Sequence, residues 1–289
     1  MSQADNGWRD FHWASAEGLT LHARDYPAAA GEGRLPVVCL HGLTRNARDF
    51  DALAPWIAAR GRRVLAADVR GRGLSDRDPA ASYWLPTYAD DVRRMAEALG
   101  IEQAIFIGTS MGGLIMMELA ATTPTLIAGA VINDVGPVLA AEGLARIGTY
   151  VGNAPAFDSW DAAATYLERQ NETALPHYRA EDWGRMARRM FRDADGRVAA
   201  DYDPAIAAAF GTGPLPADPW ERWHGLASGR PLLLLRGGLS DLLAAGDATR
   251  MITEHAGARL REVPNVGHAP MLDEPEALAA IGQFLDEVP

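Results

Sequence analysis

The sequence contains no lysine: all 27 of its basic side chains are arginine. That absence excludes a Schiff-base lysine, a phosphate-loop lysine and a serine–lysine dyad within this chain. Cysteine is almost as scarce. The single Cys39 cannot close an intrachain disulfide, and no cysteine cluster exists to hold a structural metal. Long apolar runs are missing too. The longest, Leu126 to Ile132, falls far short of the ~18–20 residues needed to span a bilayer. Positive charge is in deficit, with 27 basic against 38 acidic residues and a net charge of −11, whereas nucleic-acid binders normally show a basic footprint. The opening MSQADNGWRDF lacks the basic start and apolar run of a signal peptide. No His-Glu-x-x-His or comparable metal spacing occurs, so the expected chemistry needs neither cofactor nor metal. These readings predict a cytoplasmic protein with no nucleic-acid or membrane partner; oligomeric state has no signal in the sequence.

What is present is ordinary globular material: 289 residues, 48% hydrophobic and 22% charged. At roughly 100–200 residues per domain, this is one large domain or one domain carrying an insertion. A hairpin is predicted from FHWAS (11–15) and LTLHARDY (19–26), followed by a loose stretch, PAAAGEGRLP. Short apolar runs at 37–40, 64–69, 104–107 and 126–132 read as buried strands. They alternate with helical spacings at 46–60, 87–99 and 111–121. That alternation predicts an α/β fold, with a mostly parallel central sheet flanked by helices.

The rhythm breaks from about Pro137 to Gly225, where the chain reads as helices without a strong strand and is dense in aromatics. It resumes with a strand at 231–238, a helix from about Ala245 to His255, a strand at 260–263 and a closing helix, Glu274 to Val288. The expected organisation is therefore a core of residues 1–136 and 226–289. A helical cap, residues 137–225, is inserted late in the sheet.

GTSMGG (108–113) places Ser110 in a Gly-x-Ser-x-Gly pattern. Alone the pattern is weak, but here it falls between a buried strand and a helix, the setting of a nucleophile elbow. A serine hydroxyl becomes nucleophilic only when a base takes its proton, and that base needs an orienting acid. His268, in PNVGHAP after the last strand, is the expected base. For the acid, Asp241 in RGGLSD lies just past the apolar strand 232–235 and completes the chain order Ser, Asp, His. Asp134, in IND after strand 126–132, competes for the role, because geometry rather than position defines a triad. The backbone amides of Leu43, in HGL (41–43), and of Met111 are the expected oxyanion donors. His41 is expected to brace that loop.

Taken in order, HGL (41–43), DVRGRGLSD (68–76), GTSMGG (108–113), GGLSD (237–241) and GHAPMLDEP (267–275) resemble the α/β-hydrolase superfamily, in its single-cap branch. The resemblance implies the Ser110–Asp241–His268 triad, the Leu43 and Met111 oxyanion hole, and a lid built from the insertion. Two departures narrow it. Epoxide hydrolases and haloalkane dehalogenases carry Asp where this chain has Ser110, and carbon–carbon bond hydrolases commonly carry Trp where it has Ala269. The dehalogenase relatives often take their acid from the position of Asp134.

The expected activity is hydrolysis of small-molecule carboxylic esters or lactones through an acyl-enzyme on Ser110. Using the same residues, a carbon–carbon hydrolase of vinylogous diketones or an acyltransferase are the alternatives. A non-catalytic receptor on a hydrolase fold is the remote one. Arg45 is a candidate for a substrate carboxylate. Arg185, Arg188, Arg189 and Arg192 read first as a solvated face and second as a mouth for anions, and RGRG (70–73) as a structural turn.

Overall fold

The computed structural model describes residues 7–29, 33–210 and 218–288. Parts of the expected loose stretch (30–32) and of the expected cap (211–217), together with the first six residues, lie outside them. The chain opens with the predicted hairpin, β1 (Arg9–Ala14) and β2 (Thr20–Tyr26), and continues into β3 (Val37–Leu40). The helix expected over 46–60 is divided. Asn46 caps a single 3-10 turn, Ala47–Phe50, and α1 (Leu53–Ala58) follows. Next come β4 (Val64–Asp68), α2 (Leu85–Ala98), β5 (Ala104–Thr109), α3 (Met111–Thr122) and β6 (Ile127–Asn133).

After β6 the chain forms α4 (Ala141–Gly148), β7 (Ala156–Phe157), α5 (Trp160–Asn171), α6 (Ala180–Met190), β8 (Phe191–Ala194) and β9 (Arg197–Ala200). Then α7 (Pro219–Ala227) leads back into β10 (Leu232–Gly237), α8 (Ala245–Thr253), β11 (Ala258–Val263) and α9 (Pro275–Glu287).

Among the described residues, eight strands form one sheet in the order β1-β2-β4-β3-β5-β6-β10-β11. Only β1 with β2 and β2 with β4 pair antiparallel; the remaining pairs are parallel. The parallel strands β3, β4 and β10 are buried along their whole length. Helices cover both faces of a parallel sheet, so these strands read as unbroken apolar runs rather than alternations. The same logic explains α3, which is buried on nearly every side, whereas α2 buries one face only.

Two expectations about the insertion need correction. It is not purely helical: β7, β9 and β8 form a small antiparallel sheet. Its hairpin turns on Asp195 and Gly196, both at positive φ (53° and 82°). Asp-Gly is the preferred pair for such a tight turn, and this was the overlooked signal. The second correction concerns α7, which packs on α3 of the core, where Arg222 pairs with the buried Glu118. No helix among the described residues is long and apolar enough to cross a membrane.

Candidate active site

The turn from β5 into α3 sets Ser110 at φ 52°, ψ −114°, a conformation that non-glycine residues rarely adopt. The surrounding glycines make room for it. A Cβ at Gly112 would run into the Leu40 carbonyl oxygen, and one at Gly108 into Met116 Sδ and the Gly112 backbone. At Gly113 a Cβ would come to 2.5 Å from Val135 Cγ1. The glycines therefore let α3 lie directly on β3 and β6, with the serine held at the helix entrance. Gly112→Ala is expected to destabilise the protein by about 1–3 kcal/mol, the usual range for overpacking. A denaturant titration reads this as a lower midpoint at unchanged slope.

Ser110 Oγ lies 2.9 Å from His268 Nε2. On the other side of the ring, His268 Nδ1 lies 2.8 Å from Asp134 Oδ2. Of the two carboxylates weighed for the acid, Asp134 and not the expected Asp241 meets the imidazole. Asp241 is instead spent on Arg146, whose Nε and Nη2 donate to its two oxygens at 2.5 and 2.8 Å. Burial alone would raise the Asp241 carboxyl, but the hydrogen bonds and charge of Arg146 outweigh it and hold the group below its ordinary value.

Asp134 is fully buried and sits at positive φ (56°), which an aspartate tolerates better than most residues. Its carboxylate is well served. The Gly237 N–H donates to Oδ1 at 2.8 Å and the Ser240 hydroxyl to Oδ2 at 2.6 Å. Ser240, missed in the sequence, is held in turn by the Leu242 and Leu243 N–H groups at 3.3 and 3.1 Å. Asn133 was missed as well. Its side-chain amide donates to Thr109 Oγ1 at 3.0 Å and to the Pro270 carbonyl at 2.8 Å, tying the serine turn to the histidine loop.

The Leu43 and Met111 N–H groups have no acceptor among the described residues. Their setting is rigid. Val69 N–H donates to His41 Nε2 at 3.0 Å, which leaves the His41 proton on Nδ1, where it donates to the Gly42 carbonyl at 2.8 Å. That carbonyl shares a peptide plane with Leu43 N–H, so His41 fixes the direction in which the amide points. Burial pushes the His41 pKa down to about 4, so the ring is neutral near pH 7. Arg72, buried in the RGRG turn, donates from Nε to the Leu43 carbonyl at 3.0 Å and from Nη1 to Tyr88 Oη at 2.8 Å. The turn is structural as read, and it also anchors the Leu43 loop.

Gly42, Leu43, Ser110 and His268 open onto one cavity of about 120 Å³. The region after β6 supplies much of its wall, including Tyr150, Tyr166, Leu167, Met186, Phe191 and Tyr202. The arginines of α6 and its end are engaged elsewhere. Arg185 pairs with Asp182, Arg189 with Asp273 and Arg192 with Asp201, and Arg188 stacks 4.6 Å over Trp160. None of the four lines the cavity.

Four similarities to known proteins bear on this arrangement. The chain is 33% identical over 257 residues to a 3-hydroxybutyrate-oligomer hydrolase of Cupriavidus necator, covering 86% of this chain and 87% of that one. It is 27% identical over 279 residues to the esterase YbfF of Escherichia coli, covering 93% and 100%. The solved structure of an alpha/beta hydrolase from Novosphingobium aromaticivorans superposes with a TM-score of 0.92 at 43% identity, covering 99% of this chain and 100% of that one. A sequence model described as the alpha/beta hydrolase family matches residues 37–281, a span that takes in the Leu43 loop, the Ser110 turn, Asp134 and His268. The sheet order, the serine turn and this match agree: the chain is a member of the alpha/beta hydrolase family.

Proposed function

We propose that the protein hydrolyses carboxylic esters, lactones included, through an acyl-enzyme on Ser110. The observation that carries the reading is the unbroken hydrogen-bond chain from Ser110 Oγ through His268 to Asp134, ending in a cavity. Ser110 Oγ attacks the ester carbonyl while His268 Nε2 takes its proton. Asp134 holds the Nδ1–H tautomer and stabilises the imidazolium that forms. The Leu43 and Met111 N–H groups receive the oxyanion of the tetrahedral intermediate. His268 then protonates the departing alcohol, and a water activated by the same ring releases the acid. The stretch between β6 and α7 acts as the cap that shapes the acyl and alcohol pockets. Since one relative is named for 3-hydroxybutyrate oligomers, short hydroxyacid esters are the first substrates to try.

Two measurements test the reading. A p-nitrophenyl ester series from acetate to dodecanoate should show turnover with an optimum in chain length. A fluorophosphonate should label Ser110 stoichiometrically, read by mass spectrometry of the peptide. Absence of both in folded protein overturns it.

Ser240→Ala removes one of the three hydrogen bonds that reach the Asp134 carboxylate. A hydrogen bond to a charged group is worth about 1.5–3 kcal/mol, so kcat/KM should fall on the order of ten- to a hundredfold. Ser240→Thr, which keeps the hydroxyl, should recover much of the loss. Equal rates for all three proteins would remove Ser240 from the positioning scheme.

A further inference from the structure

The cavity contains two guanidinium groups that ester hydrolysis does not use. Arg45 follows the Gly42–Leu43 loop, and Arg146 stands in the last turn of α4; both line the same space as Ser110 and His268. Each is clamped by one carboxylate. Arg45 Nε donates to both oxygens of Asp49 at 2.8 Å, and its Nη2 reaches Oδ1 at 2.6 Å. Arg146 uses the same two nitrogens, Nε and Nη2, on Asp241.

A guanidinium has two donor edges, a side edge of Nε with Nη2 and an end edge of Nη1 with Nη2. In both arginines the side edge is spent on aspartate and the end edge is left. Among the described residues, Arg45 Nη1 has no hydrogen-bond partner, and Nη2 makes only a 3.9 Å contact with Met271 Sδ besides Asp49. Tyr150, which shares the cavity wall, stands near both cations, within electrostatic reach of Arg146 and of Arg45.

A planar end edge matches the two oxygens of a carboxylate. Because an aspartate already holds each side chain, little rotamer freedom is lost when a second acceptor arrives. We propose that Arg45, Arg146 and Tyr150 form a subsite for a carboxylate carried by the substrate. The preferred esters are then acidic ones: half-esters of dicarboxylic acids, or hydroxyacid esters that keep a free carboxylate end. This rests on the ester-hydrolase reading for the position of the scissile bond. With each arginine already neutralised by its aspartate, recognition is short-range and directional. The preference should therefore persist at salt concentrations that screen long-range attraction.

The test uses the Ser110→Ala protein, so that ligands bind without turning over. Monomethyl glutarate and dimethyl glutarate are titrated calorimetrically into it, and into the same protein carrying Arg146→Met or Arg45→Met. The half-ester should bind about tenfold or more tightly than the diester, and that ratio should fall by about tenfold or more in each arginine variant, about 1.4 kcal/mol. Equal affinity for the two ligands, no half-ester binding at millimolar concentration, or a preference that survives both substitutions overturns the proposal. Circular dichroism confirms that each variant folds; if one does not, the other carries the comparison. Neutral p-nitrophenyl turnover and fluorophosphonate labelling of the unsubstituted protein examine the hydrolase reading separately. A hydrolase without acid preference is thereby distinguished from a protein that is no hydrolase.

Discussion

Ser110→Ala is expected to lower ester turnover by about 10⁴–10⁶-fold while leaving the fold in place, since the loss of a triad serine has effects of that order. The structural side of this expectation rests on the turn. A Cβ is already present at residue 110, so alanine keeps the φ of 52° and removes only the hydroxyl 2.9 Å from His268. Unfolding midpoints of variant and parent should agree, because the strained turn is kept and only the hydroxyl is lost. What remains is the contribution of the oxyanion donors and of binding. Retention of more than about a hundredth of the parental rate would sink the assignment of Ser110, because that residue loss should leave far less.

The second large effect separates the two aspartates. Asp134→Asn should cost about 10⁴ in kcat, the size seen when the acid of a triad becomes an amide and the imidazole loses its correct tautomer. Asp241→Asn should stay within about tenfold, equivalent to about 1.4 kcal/mol in the barrier, because its carboxylate contacts Arg146 and not His268. The measurement is kcat for a neutral ester in both variants under identical conditions. A reversed ranking would return the acid role to Asp241 and require His268 to turn away from Asp134 during catalysis.

Much of the fold was legible for a simple reason. Strands buried on both faces show as continuous apolar runs, and VVCL, VLAAD and LLLLRG are all of that kind. Ser110 and His268 could be found because glycines and strand ends place them in predictable turns. The acid could not be settled in this way. Strands β6 and β10 pair in parallel, with Asn133 opposite Leu235, so Asp134 and Asp241 emerge at neighbouring points on the same edge of the sheet. Which of them meets the imidazole depends on side-chain direction, and that depends on the α4 residue Arg146, ninety-odd positions away from Asp241 in sequence. Periodicity carries no information of that sort. The small β7-β9-β8 sheet was missed because its strands are two to four residues long, leaving the Asp-Gly turn as the one local signal.

The stretch between β6 and α7, the proposed cap, is tied to the loops that carry the site. Helix α4 is fastened to the loop that follows β10: Ala140 N–H donates to the Leu242 carbonyl at 2.9 Å, Gly143 N–H to the Asp241 carbonyl at 3.1 Å, and Arg146 grips Asp241. Farther along, the Ala174 carbonyl accepts from Gly267 N–H at 2.6 Å, immediately before His268. Swinging α4 outward would loosen the loop whose Ser240 supports Asp134. Lifting the α5–α6 connection would release the segment that aims the imidazole. On the proposed mechanism, admission of substrate past this roof and alignment of the proton acceptor would therefore be one mechanical event: an opened chamber would stand idle until the roof settled back over its occupant.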